Sequence, residues 1–111
     1  MKIKDAVKLQ EDAHKRKMTI RFKKCNDYAV EFDCLSNFKV MADVCKVLEK
    51  NGYKVDVTKA WGVAMWHMLH KYIRILNLYN SGKKAVNESV VDSHDDIENY
   101  SELAKECYMD D

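Results

Sequence analysis

From Glu88 the chain reads Glu-Ser-Val-Val-Asp-Ser-His-Asp-Asp-Ile-Glu-Asn-Tyr, ending at Tyr100, and no other segment is so rich in groups able to do chemistry. Read as a helix, it puts Glu88, Asp92, Asp95 and Asn99 on one line at steps of four, three and four, with Asp96 beside them. Like charges at such spacings repel by about 0.2–0.5 kcal/mol per pair, so a cation is expected opposite. Magnesium is one answer: it takes one or two carboxylates and fills its octahedron with water and phosphate oxygens, and Glu88, Asp92 and Asp96 are the candidate ligands. A neighbouring basic helix is the other, and on spacing alone a plain solvated acidic face is favoured over the metal.

The complement precedes this segment. Lys71 and Arg74 are three residues apart, with His67 and His70 one turn back. An ammonium and a guanidinium fork are the usual means of holding phosphate oxygens, although the same residues would also form a solvated face or bridge to the acids of the next helix. Trp61 fits an apolar stripe, whereas Trp66 lies off it, where it would stack on a base or fill a core or subunit interface. Two histidines without a third ligand are a poor zinc signal. There is no Gly-rich phosphate loop, no Gly-x-Ser-x-Gly and no Cys beside a His.

These groups must be carried by helices, since the chain has no proline and only three glycines. Apolar spacing predicts a basic helix over 2–22, a loop over 23–35 turning at Asn26-Asp27, and a helix capped by Ser36 that buries Phe38, Met41, Cys45 and Leu48. Asn51-Gly52 stops that helix, and Tyr53 to Val57 forms an extended connector. Thr58 caps a third helix running to about Asn80, whose core stripe is Trp61, Met65, Met68, Tyr72, Leu76 and Tyr79, with His67, His70, Lys71, Arg74 and Asn77 on the opposite side. Ser81-Gly82 ends it. Asn87 or Ser89 caps an acidic helix over 88–108, Ser89 and Asp92 imitating a capping box, with a core stripe of Ser93, Ile97, Tyr100, Ala104 and Cys107 or Tyr108. The expectation is one all-α domain over residues 1–111, a bundle of about four helices.

Composition narrows the function. A net charge of +1 gives no global field for nucleic acid or membrane, and no run approaches the roughly 18 apolar residues of a membrane span. Lys23-Lys24 beside Tyr28 is too small a patch to argue for nucleic acid. Residues 1–24 hold nine Lys/Arg against three acids, and 88–111 hold nine acids against Lys105 alone, so the two ends are expected to meet within one chain or between subunits. The four cysteines have no CxxC spacing and no secretory signal before them, which points to buried thiols in a reduced, cytoplasmic protein.

Three segments carry a resemblance. Lys24-Cys25-Asn26-Asp27-Tyr28-Ala29 leading to Asn37-Phe38, then Lys71-Tyr72-Ile73-Arg74-Ile75-Leu76-Asn77-Leu78, then Glu88-Ser89-Val90-Val91-Asp92-Ser93 with Asp96-Ile97-Glu98-Asn99-Tyr100, are similar in order and spacing to the phage-borne nucleotide modification associated domain. That family is a relative of the all-α, MazG-like nucleoside triphosphate pyrophosphohydrolases, and the similarity covers roughly residues 20–105. It implies a helical bundle that assembles as a homo-oligomer around a nucleotide site. By position, Asp27 and Asn37 match the first motif, Lys71, Arg74 and Asn77 the second, and Glu88, Asp92, Asp96 and Asn99 the third. The chain departs from the pyrophosphohydrolases at their Glu-Glu-x-x-Glu helix, for there is no carboxylate between Lys59 and Asn80.

The expected function is therefore that of a small phage protein that binds a nucleotide or nucleotide-derived signal, sequestering it without hydrolysis. His67, His70, Lys71 and Arg74 would contact phosphate, with Asn77 and Asn99 beside them and Trp66 or Tyr100 near the base. The rival is a magnesium-dependent pyrophosphohydrolase using Glu88, Asp92 and Asp96, with Asp27 supplying the missing carboxylate. A third reading is an interaction protein whose acidic and basic helices simply pair across subunits.

Overall fold

The computed structural model describes residues 1–30, 33–86 and 88–111. They form four α-helices: α1 (Ile3–Tyr28), α2 (Ser36–Lys50), α3 (Ala60–Ser81) and α4 (Val90–Asp110). No strand occurs among the described residues, Val30 and Asp33 forming only an isolated β-bridge, so the all-α expectation holds. No helix is long and apolar enough to cross a membrane. The centre is α3, which packs along α4 as an antiparallel hairpin and touches α1 and α2 from its other sides.

The first helix overturns its predicted boundary. It runs six residues past 22, through the Asn26-Asp27 pair expected to turn. Tertiary partners explain the extension. The Asn77 side chain donates from Nδ2 to the carbonyls of Asn26 (3.2 Å) and Asp27 (3.0 Å), satisfying two of the acceptors that a helix C-terminus leaves open. Asp27 itself is fully buried in an ion pair with Arg74. The other end of α1 projects. From Ile3 to Lys24 only Asp12 and Ala13 are even half-buried.

Ser36 does not cap α2, because its hydroxyl accepts from the Val30 amide at 2.9 Å and Leu35 occupies the cap position. Of the four residues expected in the core of α2, Met41 is buried, Cys45 and Leu48 are half-buried, and Phe38 is 58% exposed. Asn51-Gly52 ends the helix as expected. Gly52 takes φ +87° and donates to Glu49 O (3.1 Å) while Tyr53 N donates to Leu48 O (2.7 Å), the paired bonds of a Schellman stop.

Thr58 likewise does not cap α3; its hydroxyl donates to Asp56 Oδ1 at 2.5 Å within the preceding turn, and Lys59 stands at the cap. The predicted stripe of α3 holds in part at Trp61 and Met68, which are half-buried, and fails at Met65 and towards the C-terminus. Tyr72, Leu76 and Tyr79 are 48%, 56% and 63% exposed, whereas Arg74 is 0% exposed and Gly62, Ala64, Ile75 and Leu78 are buried. The face with His67, His70, Lys71 and Arg74 turns inward because its charges have partners there. In α4, the Ser89–Asp92 capping box forms as read: Ser89 Oγ accepts from Asp92 N (3.0 Å) and Asp92 Oδ2 from Ser89 N (3.2 Å). Ser93, Ile97 and Ala104 are buried, Tyr100 and Cys107 half-buried, and Tyr108 exposed. The alternative cap, Asn87, lies outside the described residues.

Candidate functional site

Behind the site lies a fixed polar centre. Arg74, Asp27 and Ser93 are each 0% exposed, the most deeply buried side chains among the described residues. Arg74 Nη2 donates to Asp27 Oδ2 (2.5 Å) and to the Glu88 carbonyl, and Nη1 donates to Ser93 Oγ (2.5 Å). Ser93 Oγ in turn donates to Glu88 Oε1 at 3.0 Å. Asp27 Oδ1 accepts from Val86 N and from Asn26 Nδ2, both at 3.0 Å. One guanidinium thus ties the end of α1 to α3, to the start of α4 and to the segment before it. A buried guanidinium with several donors occupied satisfies the demand that interior charges be paired.

Outward from this centre stands Lys71, whose ammonium is 2.6 Å from Glu88 Oε1 and 3.0 Å from Asp96 Oδ2. Burial opposes its charge, but hydrogen bonds to Glu88, Tyr28 and Asp96 outweigh burial and hold the group above its ordinary value. The cation opposite the acidic segment is therefore this residue, the bland alternative of the two.

The four carboxylates expected around a metal are each engaged by the protein itself. Asp27 is on Arg74, Glu88 and Asp96 are on Lys71, and Asp92 is spent on the cap. Glu88 precedes α4 instead of opening its line, while Asp92 and Asp95 are exposed. Among the described residues no group of three or more His, Cys, Asp or Glu is arranged to hold a metal ion.

Beside Lys71 the fold opens into a cleft of about 370 Å³ between the end of α1, the start of α2 and the middle of α3, with Tyr100 of α4 at its edge. Its walls are mostly rings: Tyr28, Phe38, Trp66, His67, His70 and Tyr100. His67 stacks on Tyr100 with centroids 4.9 Å apart and planes 6° from parallel, and Trp66 meets His67 edge-on at 5.2 Å. His70 lies 4.7 Å from Trp66, 5.6 Å from Tyr28 and 5.8 Å from Phe38. Burial, then the charges of His67 and Lys71, push the His70 imidazole below its ordinary value, so it is neutral at pH 7. Its buried Nε2 has no hydrogen-bond partner among the described residues. A volume of this size, apolar walls and a few polar groups are the usual attributes of a small-molecule pocket.

Of the expected contact residues, Trp66, His67, His70, Lys71 and Tyr100 come together on this cleft. Arg74 does not reach it, being closed off in the polar centre, and Asn77 is occupied by the end of α1. Asn99 is exposed and does not line it. Lys24, Cys25, Tyr28, Cys34 and Phe38 also line the cleft, with no role expected for them there; all but Cys34 fall, with Asn37, in the first segment that carries the family resemblance. Compared with family models, with characterised proteins and with solved structures, the chain has no significant match in any of the three.

Proposed function

We propose that this chain binds a nucleotide or nucleotide-derived signalling molecule through its base and holds it without cutting it. The observation that carries the reading is the ring-lined cleft. Trp66, the His67–Tyr100 pair and His70 line it with aromatic rings suited to a planar ligand, and the unpartnered His70 Nε2 offers a hydrogen-bonding group. Stacking on such faces is worth about 1–3 kcal/mol per base and tolerates any of the bases.

Kinship with the nucleotide modification associated domain is part of the proposal. Positions from all three motifs contact one another: Asp27 on Arg74, Asn77 on the end of α1, and Lys71 between Glu88 and Asp96, whereas Asp92 and Asn99 stay exposed. Retention without hydrolysis is supported by the same contacts, since each of these carboxylates already has a cation and α3 brings none of its own. Assembly as a homo-oligomer is proposed on the exposed apolar face of α3.

The test is calorimetry with the four common nucleosides and their triphosphates, followed by chromatography of the recovered ligand. Binding is expected, with the ligand recovered intact in the presence of magnesium, and Trp66→Ala should weaken it roughly tenfold or more. Release of monophosphate that requires magnesium and disappears in Asp96→Asn with the melting temperature unchanged would instead establish the pyrophosphohydrolase, and no binding of any of the eight probes would sink the base-binding reading.

A further inference from the structure

We infer that the anionic part of the ligand is held by α1, at Lys17, Arg21 and Lys24, and not by the basic residues of α3. The inference rests on the proposed function for the base and assigns a place to the phosphates. The cations of α3 are already committed. Arg74 is fully buried on Asp27, and Lys71 sits within 3.0 Å of both Glu88 and Asp96. A phosphate arriving at Lys71 would have to displace two carboxylates.

Lys17, Arg21 and Lys24 fall at i, i+4 and i+7, on one face of α1. All three are exposed, and among the described residues none is in an ion pair. The positions three and four residues from each carry no carboxylate except Asp27, which Arg74 occupies. The three cations therefore repel one another along the helix, and an anion across them relieves that repulsion. Their face lines a recess of about 460 Å³. This recess shares Lys24, Cys25, Cys34 and Phe38 with the ring-lined cleft, so the two adjoin along that edge. A ligand with its base among the rings meets Lys24 first, then Arg21 and Lys17 one and two turns further on. Three cations spread over about 10 Å of helix suit a chain of linked phosphates better than a single carboxylate.

The experiment titrates the full chain with inorganic triphosphate, with nucleosides and with nucleoside triphosphates. It compares the wild type with K17Q/R21Q/K24Q and with K2Q/K4Q/K8Q, which removes equal charge from the far end of the same helix. The α1-face variant should lose nucleoside triphosphate and inorganic triphosphate affinity by roughly tenfold or more and lose the salt dependence of binding, while K17Q/R21Q, which leaves the cleft-lining Lys24 in place, should keep its nucleoside affinity. The far-end variant should behave as wild type. Unchanged triphosphate affinity in K17Q/R21Q/K24Q, an equal loss in K2Q/K4Q/K8Q, or no triphosphate binding by the wild type would each overturn the inference. Nucleoside binding without triphosphate preference would overturn it while leaving the base reading intact. Inorganic triphosphate binding without any nucleoside or nucleotide binding would support the α1 site and sink the base reading.

Discussion

Arg74 joins three elements of this fold through one buried side chain. It reaches Asp27, Ser93 and the Glu88 carbonyl from a position with no solvent exposure. Removing one member of a buried ion pair leaves the other charged and unpaired, at a cost of about 3–5 kcal/mol. Arg74→Met should lower stability by that amount in urea unfolding, and adding Asp27→Leu should restore part of it. If the double variant is no more stable than the single one, the cost lies in the lost Ser93 and carbonyl contacts. His70 supplies a pH signature. Its folded value is depressed below the ordinary 6.5, so the unfolded chain binds the proton more readily. The contribution to stability is full above 6.5 and is lost as pH falls from there through the lower folded value. Melting temperature should therefore drop on acidification below about pH 6.5, and less steeply in His70→Asn. Equal slopes in the two proteins would assign the effect elsewhere.

Each helix stop and start tells which local signals outrank their surroundings. Gly52 and Gly82 end α2 and α3 where they were read, because a positive φ at the C-terminus is a backbone requirement that glycine meets without strain. The Ser89–Asp92 box is equally local, both partners lying within one turn. The signals at Asn26-Asp27, Ser36 and Thr58 failed because those side chains bind elsewhere. Gly62 had no such signal, yet its place is demanding: a Cβ there would lie 1.7 Å from the Asp56 carbonyl oxygen. Backbone must shift to admit it, and Gly62→Ala should cost about 1–3 kcal/mol by thermal or chemical unfolding. An unchanged midpoint would mean that the 53–59 connector yields freely.

At the scale of the molecule, the chain leaves much apolar surface uncovered. Its radius of gyration is 17.7 Å, against about 13 Å for a compact domain of this length. The first turns of α1 are exposed almost throughout, and Met65, Tyr72, Leu76 and Tyr79 form an outward apolar stripe on α3. Within the chain, no ion pair among the described residues joins the basic first helix to the acidic last one. Light scattering on a sizing column should find an oligomer, and Leu76→Glu should shift it toward smaller species. A wild type monomeric at micromolar concentration would refute this.

Sequence alone determined the class of the fold and much of the residue content of the cleft. Helical periodicity, glycine stops and the scarcity of breakers are local properties, so four helices and most of their ends were legible. Trp66, His67, His70, Lys71 and Tyr100 were picked out by type and spacing, and they do converge. What each residue does there belonged to the tertiary structure. A guanidinium looks the same in sequence whether it faces a ligand or a buried carboxylate. Only the meeting of Asp27 with Arg74, 47 residues apart in the chain, turned a supposed phosphate ligand into the centre of the core. The same meeting carried α1 through its apparent turn, brought Lys24 and Tyr28 to the cleft, and turned the C-terminal half of α3 inward on its charged side. Pairing between distant charges is a non-local energy, and helical spacing contains no information about it.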